Sequence, residues 1–154
     1  MPAGAMLMID EIEVFVPDGG PKGLGFIRGI TSVDPDAWFF AAHFYQDPVV
    51  PGSLGLESFL QLLKLVALDR WGDNLGNTHR FCPILIGLKH RWTYRGQIIP
   101  HNGQVEVEAV ITEVREGEEP VVIGNGFLKV DGLVIYEMQQ FGIALRRIGS
   151  ATPI

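Results

Sequence analysis

Charge is scarce in this chain of 154 residues: 19% are charged, against about 25% in ordinary globular domains. The few charges are mostly acidic, 18 against 12 basic, for a net charge of −6. That balance excludes a general binder of nucleic-acid backbone, which needs a basic surface. Cysteine is nearly absent. Cys82 stands alone, so there is no disulfide framework, and a reducing, cytoplasmic setting is expected. His43, His79, His90 and His101 are scattered and no thiol pairs with Cys82, so no metal-ligand spacing forms and no metal is expected. No run approaches ~18 uninterrupted apolar residues, so no membrane span is expected. The first ten residues lack a basic region and do not read as a signal peptide. No internal repeat or low-complexity linker interrupts the chain, and a single domain over 1–154 is expected.

Apolar residues and glycine are abundant. Hydrophobic residues make up 47% and glycine 19 positions. Disordered chains are polar and highly charged, so disorder is excluded. A lone domain of this size hides only about 70% of its unfolded surface. The excess calls for a self-association interface, an apolar ligand channel, or both.

Residues 6–16 end in alternation and read as a strand, and 24–32 as a second, with Gly19-Gly20 marking a hairpin between them. Asp34-Pro35-Asp36 opens an irregular stretch through Trp38-Phe39-Phe40 and His43, and Pro48 to Gly52 reads as a rigid loop. Ser53 to about Trp71 is apolar on nearly every side, the pattern of a buried helix, which Gly72 is expected to end. Its exceptions, Glu57, Gln61 and Lys64, fall on one stripe. The remainder reads as strands over 84–97, 104–115, 120–131 and 133–147. The order predicts an α+β domain in which a curved antiparallel sheet wraps one long central helix.

Special residues concentrate between His43 and Gln61. A histidine supplies a base near neutral pH. A carboxyl on an apolar helix has the desolvated setting that an acid needs. A helix start after Pro51-Gly52 offers free N–H groups to a developing oxyanion. Gly52 lets a ligand approach the backbone.

The stretch Trp38-Phe39-Phe40-Ala41-Ala42-His43-Phe44, followed by Asp47-Pro48-Val49-Val50-Pro51-Gly52-Ser53-Leu54-Gly55-Leu56-Glu57, resembles the hot-dog-fold β-hydroxyacyl-acyl-carrier-protein dehydratases. It is most similar to the β-hydroxydecanoyl dehydratase/isomerases and to dehydratase domains of polyunsaturated fatty acid and polyketide synthases. Met6-Leu7-Met8-Ile9-Asp10 and Tyr94-Arg95-Gly96-Gln97-Ile98-Ile99-Pro100 support the resemblance in family order. It implies a homodimeric hot-dog fold and dehydration of β-hydroxyacyl thioesters to trans-2-enoyl thioesters in fatty acid or polyketide biosynthesis. It implies His43 as catalytic base and Glu57 as its acid partner, which gives a proton to the departing hydroxyl or holds the water that is lost, the two meeting across the dimer interface. Gln61 steadies Glu57, and Gly52 with Ser53 binds the thioester oxygen. The substrate arrives on the phosphopantetheine of an acyl carrier protein, and the domain needs no cofactor of its own. Glu57 stands where the isomerase branch usually has Asp, and Ser53 where it often has Cys. Dehydration is therefore better supported than isomerisation.

Plainer roles compete at several positions. Ser53 lacks the glycine pattern of a hydrolase elbow and reads as an N-cap. Lys64 reads as a snorkelling or interface side chain, and Cys82 as buried and inert. Lys89, His90, Arg91, Arg95, Arg146 and Arg147 give the second half a basic bias. They would suit docking of an acidic carrier protein, or be ordinary solvated strand positions. Two other functions fit the same fold: a hot-dog acyl thioesterase, and a non-catalytic acyl-binding domain of a multienzyme.

Overall fold

The computed structural model describes residues 4–75 and 77–149. One 3₁₀ turn, Gly4–Met6, precedes β1 (Glu11–Val16) and β2 (Phe26–Ser32). Then come α1 (Trp38–Ala42) and α2 (Gly52–Leu75), followed by β3 (His79–Phe81), β4 (Arg91–Tyr94), β5 (Gln104–Arg115), β6 (Val121–Val130) and β7 (Leu133–Arg147). All pairings are antiparallel, in the order β1-β2-β5-β6-β7. The far edge of β7 is shared: β4 pairs with Tyr136–Gln139 and β3 with Leu145–Arg147.

Alternation decides which face is inside. Val105, Val107, Ala109 and Ile111 of β5 are buried, while Glu106 and Glu108 between them turn outward. There they meet Lys129 of β6, whose Nζ lies 3.1 Å from Glu108. Helix α2 packs on the inner face of β2, β5, β6 and β7. Its Phe59, Leu62, Leu63 and Ala67 are fully buried.

Two glycines set how closely helix and sheet approach. A Cβ on Gly126 would lie 2.4 Å from the Phe59 ring, and one on Gly55 would lie 2.3 Å from the Tyr136 ring. Only hydrogen fits at either place. Register shifts between Ile111 and Glu113 and between Gly124 and Gly126 bend the sheet around the helix.

Several expectations are corrected. The first strand begins at Glu11, not at residue 6, because Met6 and Met8 give their backbone groups to the Gln61 side chain instead of to a ladder. Trp38–Ala42 forms a short helix rather than an irregular stretch. Helix α2 starts at Gly52 and runs past Gly72 to Leu75. One interior glycine costs only about 1 kcal/mol. Trp71, the residue before it, is buried and donates from Nε1 to Glu116 (2.8 Å), which ties the helix to the β5–β6 turn. The strand expected over 84–97 shrinks to Arg91–Tyr94, since Gly87 adopts φ +84° and breaks the extended run. A short strand, His79–Phe81, appears ahead of it. Ser53 is the second residue of α2 and exposed, so it is not the cap.

Candidate active site

His43 follows the last residue of α1, where its backbone N–H donates to Phe39 O at 3.0 Å and ends the helix. Its half-buried ring lies against Phe44, with centroids 3.9 Å apart. Nδ1 sits 3.1 Å from the carbonyl oxygen of Val49. A carbonyl only accepts, so Nδ1 carries a hydrogen, and in the neutral ring Nε2 then keeps its lone pair. The loop from Phe44 to Pro51 therefore selects the tautomer in which His43 is a base at Nε2.

Glu57 lies in the second turn of α2. Its Oε1 accepts from Gln61 Nε2 at 3.0 Å and from Lys64 Nζ at 2.8 Å. Gln61 is fully buried and does more than steady the carboxylate. Its Nε2 donates to Met6 O (2.8 Å) and its Oε1 accepts from Met8 N–H (2.9 Å). The helix stripe thus holds both the candidate acid and the N-terminal segment.

Gly52 opens the helix against an aromatic cluster. A Cβ there would lie 3.1 Å from both the Trp92 and the Tyr94 rings. Trp92 and Tyr94 are two apart on β4, so they share one face. Both pack on Tyr136, with centroids 5.6 and 4.8 Å away. Tyr136 is fully buried, and its hydroxyl has no hydrogen-bond partner among the described residues. Burial pushes its phenol far above the ordinary value, and Tyr94 beside it adds to the shift. Tyr136 is therefore neutral at any physiological pH.

A cavity of about 410 Å³ opens beside this region. The N-terminal segment through Leu7 and Met8, the end of β2, and Trp38, Phe39 and Phe40 of α1 form its walls. Leu54, Gly55 and Ser58 line it from α2, and Ile98, Val105 and Leu128 close its apolar floor. His43, Glu57, Gly52, Ser53 and Gln61 border its walls in sequence without lining it. Among the described residues, no hydrogen bond or ion pair joins His43 to Glu57 within one chain.

The remaining sequence candidates divide. Lys89, Arg91 and Arg95 are exposed on and beside β4. His90 is occupied: its ring nitrogens face Gln140 O (2.7 Å) and Leu85 O (3.1 Å), and it stacks on Phe141. The Arg146 Nε is buried with no partner among the described residues. Cys82 is buried, and its Sγ accepts from Ala144 N–H at 2.9 Å. Of the two roles expected for Lys64, snorkelling is overturned, since the side chain is buried on Glu57. Its place three residues after Gln61 on an apolar helix was the available signal. The Trp92–Tyr94–Tyr136 cluster was missed, although the two-residue spacing of its first members announced a shared face. No described helix is long and apolar enough to cross a membrane.

A single long helix wrapped by one curved antiparallel sheet is the hot-dog fold. Comparison with known proteins narrows the class: residues 1–139 match the family described as the FabA-like domain, and the chain belongs to that family. It is 35% identical over 164 aligned residues to a polyunsaturated fatty acid synthase subunit of Thraustochytrium sp.. That alignment covers 99% of this chain but only 10% of the relative. Among solved structures, the dehydratase heterocomplex ApeI:P from Xenorhabdus doucetiae matches with a TM-score of 0.64 and 12% identity, over 96% of this chain and 88% of that one. A mutant of the phenylacetic acid degradation protein PaaI from Thermus thermophilus matches with a TM-score of 0.54 and 12% identity, over 88% and 91%. These structural matches share the fold.

Proposed function

We propose that this domain dehydrates β-hydroxyacyl thioesters, carried by an acyl carrier protein, to trans-2-enoyl thioesters in fatty acid or polyketide synthesis. The observation that carries the reading is the His43 tautomer, with Nδ1 committed to Val49 O and Nε2 left basic. In the reaction, Nε2 takes the proton α to the thioester. Free N–H groups at the start of α2, beginning with Gly52, hold the enolate-like oxygen as charge develops on it. Glu57 gives its proton to the departing hydroxyl, which leaves as water. Proton transfer through solvent from His43 to Glu57 restores both groups. Membership of the FabA-like family and similarity to part of a fatty acid synthase support this assignment.

The acyl chain is assigned to the apolar cavity beside α2. His43 of one protomer is assigned to work with Glu57 of its partner in a homodimer. Solvent exposure of Trp38, Phe44, Tyr45, Trp92 and Tyr94 near the helix entrance supports such a face. The exposed Lys89, Arg91 and Arg95 lie on and beside the strand that touches Gly52, and they suit an acidic carrier protein.

The test is turnover of a β-hydroxyacyl thioester by the wild type and by His43→Ala and Glu57→Gln. Each variant is expected to lose about 100-fold or more in rate, the usual weight of a positioned acid or base. Near wild-type rates in both would overturn the assignment. Release of free thiol without enoyl product would mark a thioesterase, and acyl binding without turnover a non-catalytic domain.

A further inference from the structure

Lys64 is 7% exposed, yet it carries a charge on a helix packed into an apolar core. Burying an ammonium costs several kcal/mol even after relaxation, and apolar residues of similar volume often replace buried ion pairs without loss of stability. Stability alone therefore does not account for a lysine here. Its hydrogen-bond geometry does. Lys64 Nζ and Gln61 Nε2 both donate to Oε1 of Glu57, at 2.8 and 3.0 Å. Neither donates to Oε2, and the Glu57 side chain keeps 23% of its surface open.

We infer that Lys64 is a positioning residue for the proton step, an inference that rests on the dehydratase reading above. Two donors saturate Oε1 and fix the carboxyl plane, so Oε2 is the oxygen that bears and delivers the proton. When Glu57 gives that proton to the departing hydroxyl, negative charge appears on the carboxylate. The Lys64 ammonium already faces it and needs no reorganisation. Lys64 keeps its own three protons throughout and touches no substrate atom. Residues 57, 61 and 64 stand at i, i+4 and i+7 of one helix, so the arrangement is rigid.

The experiment is a kinetic double-mutant cycle on the full chain with a β-hydroxyacyl thioester. Lys64→Met is expected to lower kcat about tenfold to a hundredfold, the cost of a misplaced reacting group. KM should stay within about twofold, because ground-state binding is untouched. Lys64→Arg, which keeps a charged donor, should recover much of the loss. In a Glu57→Gln background, Lys64→Met should cost nothing further. Should Lys64→Met not fold, Lys64→Gln removes the charge while keeping an N–H donor, and the same kcat loss is expected of it. Variants with a lower melting temperature but unchanged kcat would show a purely structural lysine and overturn the inference. So would equal losses with and without Glu57. A wild type that does not dehydrate overturns the dehydratase reading and this inference together. An active wild type with an indifferent Lys64 overturns this inference alone.

Discussion

Gly55→Ala tests the helix–sheet contact beneath the candidate site. A Cβ at this position would stand 2.3 Å from Cε2 of Tyr136 and 3.1 Å from Cδ1 of Leu128. Ordinary contact begins near 3.4 Å, so helix and ring must separate by 1.1 Å. Tyr136 cannot retreat, since it is fully buried and held by Trp92 and Tyr94. Overpacking of this kind costs about 1–3 kcal/mol. Alanine returns about 1 kcal/mol of helix propensity. With no room on either side the upper part of the range applies, leaving a net loss of about 2 kcal/mol. For a domain of this size that lowers Tm by roughly 4–8 °C, which thermal unfolding measures directly. The same 1.1 Å displaces Glu57, two residues on, and a misplacement of about 1 Å can cost about 100-fold in rate. Pairing the change with Tyr136→Ala removes the clash. In that background Gly55→Ala should become stabilising by up to about 1 kcal/mol. A variant that melts no lower than the wild type, or a cost that persists without the ring, would refute the contact.

Asp131 accepts hydrogen bonds from the backbone N–H of Gln104 and Gly103 and from Asn102 Nδ2. Those bonds, the one from Gln104 first, hold its carboxyl below the ordinary value. A lowered carboxyl contributes stability above its unfolded pKa and loses it as pH falls through the folded one. Asp131→Asn, which keeps a residue suited to the tight turn before Gly132, should be less stable than wild type at neutral pH. The two should converge in acid, as chemical unfolding at several pH values would show, and a constant gap would refute the role. Gln61→Leu removes both bonds to the N-terminal segment and should cost about 1–3 kcal/mol. It should also speed hydrogen exchange at the Met8 amide; undiminished protection there would show that Gln61 is not the clamp.

Legibility in the sequence followed the range of the forces involved. Strands β5, β6 and β7 were readable because alternation is local: Val105 to Ile111 goes in and Glu106 and Glu108 go out, whatever else happens. Helix α2 was readable for the same reason, although its end was not. Gly72 signals a stop, and only the distant Glu116 on Trp71 shows what anchors the helix there. The 84–97 error had a local signal in Gly87, outweighed by the apolar run around it. At the candidate site, the motif singles out His43, Glu57 and Gln61. Their partners were not legible, because Val49, Lys64, Met6 and Met8 reach them through loop closure and rotamer choice. Spacing placed Lys64 on the Glu57 stripe, but only coordinates show both donors converging on one oxygen.

The scarcity of charge takes on a different meaning with the site in view. The charges that remain are not spread evenly. Glu106, Glu108 and Lys129 shield the outer face of the sheet, while Glu57 and Lys64 are spent as a pair inside. On the proposed reading, a catalytic carboxylate must be desolvated enough to act as an acid, yet must not be left as an uncompensated buried charge once its proton has gone. One buried cation seven residues along the same helix meets the second demand, because it faces the carboxylate once the proton has gone. The apolar composition around that pair is then part of the chemistry, because it lowers the local dielectric in which a fixed ammonium stabilises developing charge. The uncovered aromatic residues at the helix entrance are the other half of that surplus. On the proposed reading a second protomer would cover them, and the two places where apolar surface stays open, this face and the cavity beside α2, would both be filled in the working enzyme.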